Sequence, residues 1–125
     1  MKNVAVVGTG YWGRNLVRNF NELGVLTGIF DEDENTLSAL CETYPSLKTW
    51  PSVKATFDDP GVDAVAIATP AVTHGGLAKR ALRAGKSVFV EKPLCLDLTE
   101  AEEIKALAVE GGQILMVGHL MLYHS

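Results

Sequence analysis

The stretch Asn3-Val4-Ala5-Val6-Val7-Gly8-Thr9-Gly10-Tyr11-Trp12-Gly13 decides how the rest of the chain is read. Asn3–Val7 is short, apolar and β-branched, the pattern of a strand buried on both faces. Glycines spaced as Gly8-x-Gly10-x-x-Gly13 then break it. Beyond them Leu16, Val17, Phe20 and Leu23 recur at helical spacing, and Gly24 supplies a stop. A strand that passes through such a turn into a helix brings unpaired N–H groups and partial positive charge to one point, which suits an anion. The first glycine permits the tight bend, the second lets the backbone approach a pyrophosphate, and the third lets helix pack on strand.

The same alternation continues outward. Val25–Phe30 reads as a second strand ending on Asp31. Leu37, Leu40, Cys41 and Tyr44 mark an amphipathic helix ended before Pro45, and Leu47–Trp50 a short third strand. Pro51–Thr56 reads as a short helix with proline at an early position. Asp63–Ala68 is a fourth strand, Gly76–Ala84 a helix closed by Gly85, and Ser87–Val90 a fifth strand. Thr99 and Glu102 form a capping box for a helix that buries Ala101, Ile104, Leu107 and Ala108. Gly111-Gly112 ends it, and Gln113–Val117 is the sixth strand. Near-continuously apolar strands alternating with helices predict an α/β fold, a doubly wound parallel sheet of the Rossmann type.

At 125 residues, 47% hydrophobic and 21% charged, the chain has the composition of one globular domain. A chain of this size buries about two-thirds of its unfolded surface. It has no room for a separate substrate domain. The net charge of −4 lacks the basic excess that nucleic-acid binding requires, so no nucleic-acid partner is expected. Asp31-Glu32-Asp33-Glu34 is the densest run of like charge. Apolar runs such as Val4–Val7 and Ala64–Ala68 are too short to span a membrane. The glycine turn follows the first apolar stretch at once, unlike a signal peptide, so a cytoplasmic protein is expected. Cys41 and Cys95 have no metal-type spacing and read as buried free thiols, and no metal site is expected.

Asp31 lies 18 residues beyond Gly13, at the end of the second strand. A carboxylate there can accept hydrogen bonds from both ribose hydroxyls of a dinucleotide and would repel a 2′-phosphate. Glu32 and Glu34 add to that repulsion, so NAD is expected rather than NADP. The predicted cofactor contacts at this end are Gly8, Thr9, Gly10, Tyr11, Trp12, Gly13 and Asp31. Tyr11 and Trp12 either shape the pyrophosphate site or pack the helix, and Arg14 reads as solvated helix surface.

A second cluster comprises Thr69-Pro70-Ala71-Val72-Thr73-His74 and Glu91-Lys92-Pro93, at the carboxyl ends of the fourth and fifth strands. Open α/β sheets bind ligands at such ends. An ionisable pair closing a buried strand is costly unless it is used. Lys92 can hydrogen-bond a substrate hydroxyl and shuttle its proton. His74, read alone, is an early helix residue satisfied locally.

Taken in order, Gly8 to Gly13, Thr69-Pro70 with His74, Ala84-Gly85-Lys86 with Glu91-Lys92-Pro93, and Val117-Gly118-His119 resemble the Gfo/Idh/MocA oxidoreductases. The resemblance runs from Gly8 to Tyr123. It implies NAD(P)-linked oxidation of a hydroxyl on a sugar, cyclitol or related compound. It further implies that Lys92 is catalytic and contacts substrate near the nicotinamide, and that Lys92-Pro93 is a cis peptide. Thr69, Pro70, His74, Glu91 and Lys92 would line the cofactor groove. The segments 11–20 and 118–124 look like dehydrogenases of bacterial polysaccharide gene clusters, which implies a nucleotide-linked amino sugar as substrate. His119 and His124 either approach that substrate or are surface residues.

The family carries a second α/β domain after the sixth strand. That domain builds the substrate pocket, supplies an Asp and a His for acid–base chemistry, and makes the oligomer contact. By this resemblance residues 1–119 form the dinucleotide-binding domain, and residues 120–125 begin a C-terminal domain that is otherwise absent. The complete protein would be a homo-oligomeric, NAD-dependent sugar dehydrogenase, and the 125 residues alone would bind cofactor without turning over substrate. The alternative from another class is a non-catalytic dinucleotide-binding module, a sensor or a partner subunit.

Overall fold

Alternate residues of Val4–Val7 belong to two different hydrophobic clusters, the result expected of a strand buried on both faces. The computed structural model describes residues 3–91, 94–95 and 97–118. The elements run β1 (Val4–Val7), α1 (Tyr11–Glu22), β2 (Leu26–Phe30), α2 (Glu34–Thr43), β3 (Lys48–Thr49), α3 (Val53–Asp58) and β4 (Ala64–Ile67). A single 3-10 turn (Ala71–Thr73) then leads into α4 (His74–Arg83), β5 (Ser87–Glu91), α5 (Leu98–Gly111) and β6 (Leu115–Gly118).

The strands form one parallel sheet in the order β3-β2-β1-β4-β5-β6. Its direction of progress reverses between β1 and β4, which opens a crevice at their carboxyl ends. Right-handed crossovers place helices on opposite faces of the two halves. On one face Val4, Val6, Ile29 and Ala66 pack with Leu16 and Val17 of α1 and with half-buried Leu37, Leu40 and Tyr44 of the α2 region. On the other, Ala5, Val7, Val65, Ile67, Val88 and Val90 pack with Phe57, Ala78, Ala81, Leu82, Ile104 and Ala108. Ile29, Ile67 and Ile104 are fully buried, each stabilising the fold by roughly 1.5–3 kcal/mol relative to exposure. The α1 face of β4–β6 carries a shallow apolar hollow of about 240 Å³ bordered by Phe20, Phe89, Ile114 and Met116.

Several local readings are corrected by the structure. The cap of α5 is Asp97, whose carboxylate accepts from the N–H groups of Thr99 at 2.7 Å and Glu100 at 3.3 Å. An extended aspartate just ahead of the helix meets both the free amides and the dipole, so no Thr99–Glu102 box is needed. Ser52 caps α3 through the Ala55 N–H at 3.0 Å, and Pro51 precedes the helix instead of lying within it. Leu23 falls past the end of α1 and is exposed. Cys41, on α2, and Cys95, at the rim of the larger hydrophobic cluster, are half-buried, not buried.

Two polar knots fix the turn between α3 and β4. The buried Lys86 ammonium donates to the carbonyls of Asp59 at 2.8 Å and Val62 at 2.6 Å. The Asp59 carboxylate accepts from Lys48, from the Trp50 indole N–H at 2.9 Å and from the Gly61 N–H at 2.7 Å. The Lys48 bond, followed by those from Trp50 and Gly61, holds that carboxyl far below the usual range. Among the described residues no helix is long and apolar enough to cross a membrane.

Candidate functional site

The end of β1 turns at Gly8, where φ is +90°, a conformation side-chain-bearing residues rarely adopt. Its N–H donates to the Phe30 carbonyl at 2.8 Å, tying the turn to β2. A Cβ at Gly8 would lie 2.8 Å from backbone atoms of Ala68 and Thr69, and one at Gly13 would strike the Gly8 carbonyl. Both positions therefore need glycine so that β1, α1 and the end of β4 can close together. Gly10 differs: a Cβ there would meet nothing within 4 Å. It is the N-cap of α1, with no side-chain cap and no acidic residue in the first turn. The start of α1 therefore carries its partial positive charge with no acidic residue in its first turn, beside the open space at Gly10.

Asp31 follows the last residue of β2. The N–H and hydroxyl of fully buried Thr9 donate to its Oδ2 at 2.7 and 2.8 Å, and the Asp33 N–H donates to Oδ1 at 2.8 Å. Burial opposes ionisation, but the bonds from Asp33 and Thr9 and the Arg14 guanidinium outweigh it and hold the carboxyl below its ordinary value. A carboxylate offers about four acceptor positions. One more donor can be taken with the three internal bonds intact, and binding both ribose hydroxyls would need one position to be shared. Arg14 is exposed, as the sequence suggests, yet its charge acts on Asp31. The adjacent acidic run also has local work: Asp33 caps α2 through the amides of Asn35 and Thr36, and Glu34 lies in the first turn.

These groups open on a cleft of about 640 Å³, within the range of roughly 300–1,000 Å³ usual for ligand sites. Gly8, Thr9, Gly10 and Trp12 form one side, Asp31 and Glu32 another, and Thr69 and Pro70 a third. Trp12 is 43% exposed, so its ring belongs to the cleft wall and not to the core. Tyr11 contributes backbone at the start of α1.

The β4–α4 loop is held by its own side chains. The Thr73 hydroxyl donates to the Pro70 carbonyl at 2.6 Å, and the Thr69 and Thr73 hydroxyls are 2.6 Å apart. Thr73 has one proton, so Thr69 is the donor in the second bond. Buried His74 places Nε2 2.8 Å from the Thr69 carbonyl, which can only accept, so Nε2 carries a proton. His74 thereby reaches the cleft wall through Thr69, in keeping with a locally satisfied helix residue. Glu91 closes β5, half-buried, in register with Gly118 of β6. Lys92, Pro93, His119 and His124 lie outside the described residues.

Further wall residues escape the sequence reading. Thr73, at the end of the 3-10 turn, and Leu77 and Arg80 of α4 line the cleft, as does Val53 at the start of α3. The i, i+4, i+7 spacing of the first three is a signal that could have found them. Nothing local marks Val53. Among the described residues no group of His, Cys, Asp or Glu could hold a metal ion. A dinucleotide fits what is present: amides beside an open glycine for its pyrophosphate, an ionised acceptor for a ribose, and apolar walls for a base.

Comparison with known proteins agrees. The chain is 34% identical over 119 residues to UDP-N-acetylglucosamine 3-dehydrogenase of Acidithiobacillus ferrooxidans, covering 95% of this chain and 37% of that one. The solved structure of that dehydrogenase has a TM-score of 0.88 at 33% identity, over 98% of this chain and 38% of its own. Biliverdin reductase of Synechocystis sp. PCC 6803, solved with biliverdin and NADP+, gives 0.89 at 33% identity, over 96% and 38%. GenD2 from gentamicin A biosynthesis, solved with NAD, gives 0.87 at 31% identity, over 94% and 34%. The chain thus spans little more than a third of the length of these relatives. Residues 2–119 match the oxidoreductase family whose domain is an NAD-binding Rossmann fold, and the chain belongs to that Gfo/Idh/MocA family.

Proposed function

We propose that this chain binds NAD in preference to NADP and is the cofactor-binding part of a dehydrogenase acting on a hydroxyl of a sugar or nucleotide sugar. The observation that carries the cofactor preference is the ionised Asp31 carboxylate, fixed by Thr9 and Asp33 on the cleft wall beside Gly8 and Gly10. A 2′-phosphate brought to that carboxylate would add like charge where Glu32 already stands. Relatives solved with NAD and with NADP+ share the fold, so the preference rests on these side chains and not on the architecture.

When bound, the nicotinamide supplies a hydride acceptor or donor. The chain's own residues hold and orient it. The amides at the start of α1 take the pyrophosphate, Asp31 takes an adenosine ribose hydroxyl, and the Thr69–Pro70 loop forms the opposite wall. By the family resemblance Lys92 hydrogen-bonds the substrate hydroxyl and moves its proton. Residues 1–119 are then the dinucleotide-binding domain, and residues 120–125 lead into a C-terminal part that completes the substrate pocket. The complete protein would work as a homo-oligomer in the cytoplasm.

Titration calorimetry with NAD and NADP tests the cofactor preference. NAD should bind more tightly, and Asp31→Ala should weaken NAD and narrow the gap to NADP. Equal affinities in the wild type, or an Asp31→Ala variant with both affinities unchanged, would refute it. In the longer protein, Lys92→Met should reduce turnover far more than NAD affinity, and unaffected turnover would remove the catalytic role.

A further inference from the structure

With pyrophosphate and ribose assigned, one stretch of the cleft is left without a partner. It is walled by Val53 of α3 and by Leu77 and Arg80 of α4. Val53 and Leu77 are apolar and half-buried, so this stretch suits a flat, weakly polar group and not a second phosphate or a sugar. Arg80 is the cationic member. Its Cζ lies 5.8 Å from the centroid of the Phe57 ring, within the range of a cation–π contact. Phe57 is 3% exposed, so its ring is a fixed shelf under a planar guanidinium. The ion pairs among the described residues engage Lys48, Lys54 and Lys79, and Arg80 is in none of them. The side chain also borders a neighbouring hollow shared with Lys54, Phe57 and Asp58, and so forms the ridge at the outer end of the cleft.

We propose that Arg80, laid over Phe57, forms the stacking wall for the adenine base of the dinucleotide, with Val53 and Leu77 as the apolar sides of the slot. This rests on the dinucleotide reading above. Guanidinium is planar and weakly hydrated, so it can present one face to an aromatic shelf and another to a base. Stacking of this kind reads the base's face and tolerates changes at its edge.

The test is calorimetric titration of wild type, Arg80→Met and Arg80→Lys with NAD, ADP-ribose, nicotinamide mononucleotide and NADP, with thermal melting as the check on folding. Arg80→Met should weaken NAD and ADP-ribose alike, by about three- to thirty-fold. Nicotinamide mononucleotide, which has no adenine, should be unaffected. Arg80→Lys should lose nearly as much, because an ammonium keeps the charge without the plane. Unchanged NAD affinity in Arg80→Met would overturn the proposal, as would an equal loss for nicotinamide mononucleotide. A loss confined to NADP would also overturn it, making Arg80 a reader of 2′-phosphate. If the wild type binds none of the adenine-bearing ligands, the dinucleotide reading itself falls, and the role of Arg80 with it.

Discussion

The β1–α1 turn and the β4–α4 loop both wall the cleft, but they are built by opposite means. The first is shaped by missing side chains: backbone packs on backbone at Gly8 and Gly13, and Gly10 leaves room for a ligand. The second is shaped by side chains that bond to one another and to the backbone, through Thr69, Thr73 and His74. A wall of the first kind can separate folding from binding residue by residue. In a wall of the second kind the two are coupled, because the groups that position the surface also satisfy the loop's own polar atoms.

The largest expected effect is at Gly13. Gly13→Val drives a side chain into the Gly8 carbonyl and should cost about 3 kcal/mol of stability, read as a lower denaturation midpoint, with NAD binding lost as well. Gly10→Val should leave the midpoint nearly unchanged and weaken NAD by about ten-fold or more, because the new side chain enters only the open cleft. Matching stability losses in the two variants would erase the distinction within the turn. Lys86→Met provides a control away from the cleft. It should cost about 1.5–3 kcal/mol by removing charged bonds to two carbonyls, with NAD affinity unaltered in the folded fraction. His74→Phe should cost about 1–3 kcal/mol and also weaken NAD modestly, since the Thr69 carbonyl loses its donor. Stability loss at His74 with no change in NAD affinity would show that the second wall is not coupled.

The smallest effect is the acid limb of stability. Asp31 and Asp59 are both held below the ordinary value of 3.8, so each contributes stability that is present above that pH. It is lost as pH falls below 3.8 toward the folded values. Asp31→Asn should flatten this limb below pH 3.8, and a limb identical to that of the wild type would show that the Thr9 and Asp33 bonds contribute nothing measurable.

This contrast also explains what could be read from the sequence. The glycine spacing and the alternation of strand and helix are local, and the sheet, its order of elements and the turn at Gly8–Gly13 follow from them. Asp31 is legible because it ends a strand at a fixed distance from the turn. Its bonds to Thr9 are not, since they join residues 22 apart and arise only when β1 and β2 pair. Asp97 and Thr99 are both cap-forming residue types at the start of α5, and only the folded backbone shows that Asp97 takes the cap. Lys86 reads as part of a family motif, and its burial against Asp59 and Val62 appears only in the packed fold. Val53 and Arg80 come from different helices and meet at the cleft through tertiary packing alone.

The most direct test is titration of the 125-residue chain with NAD, alongside Gly10→Val of the same chain. The expected result is NAD binding by the wild type, tighter than that of NADP, and loss of that binding in a Gly10→Val variant that melts like the wild type. Equal NAD affinity in the two proteins would mean that the ligand does not lie over the start of α1, contradicting the assignment of the cleft.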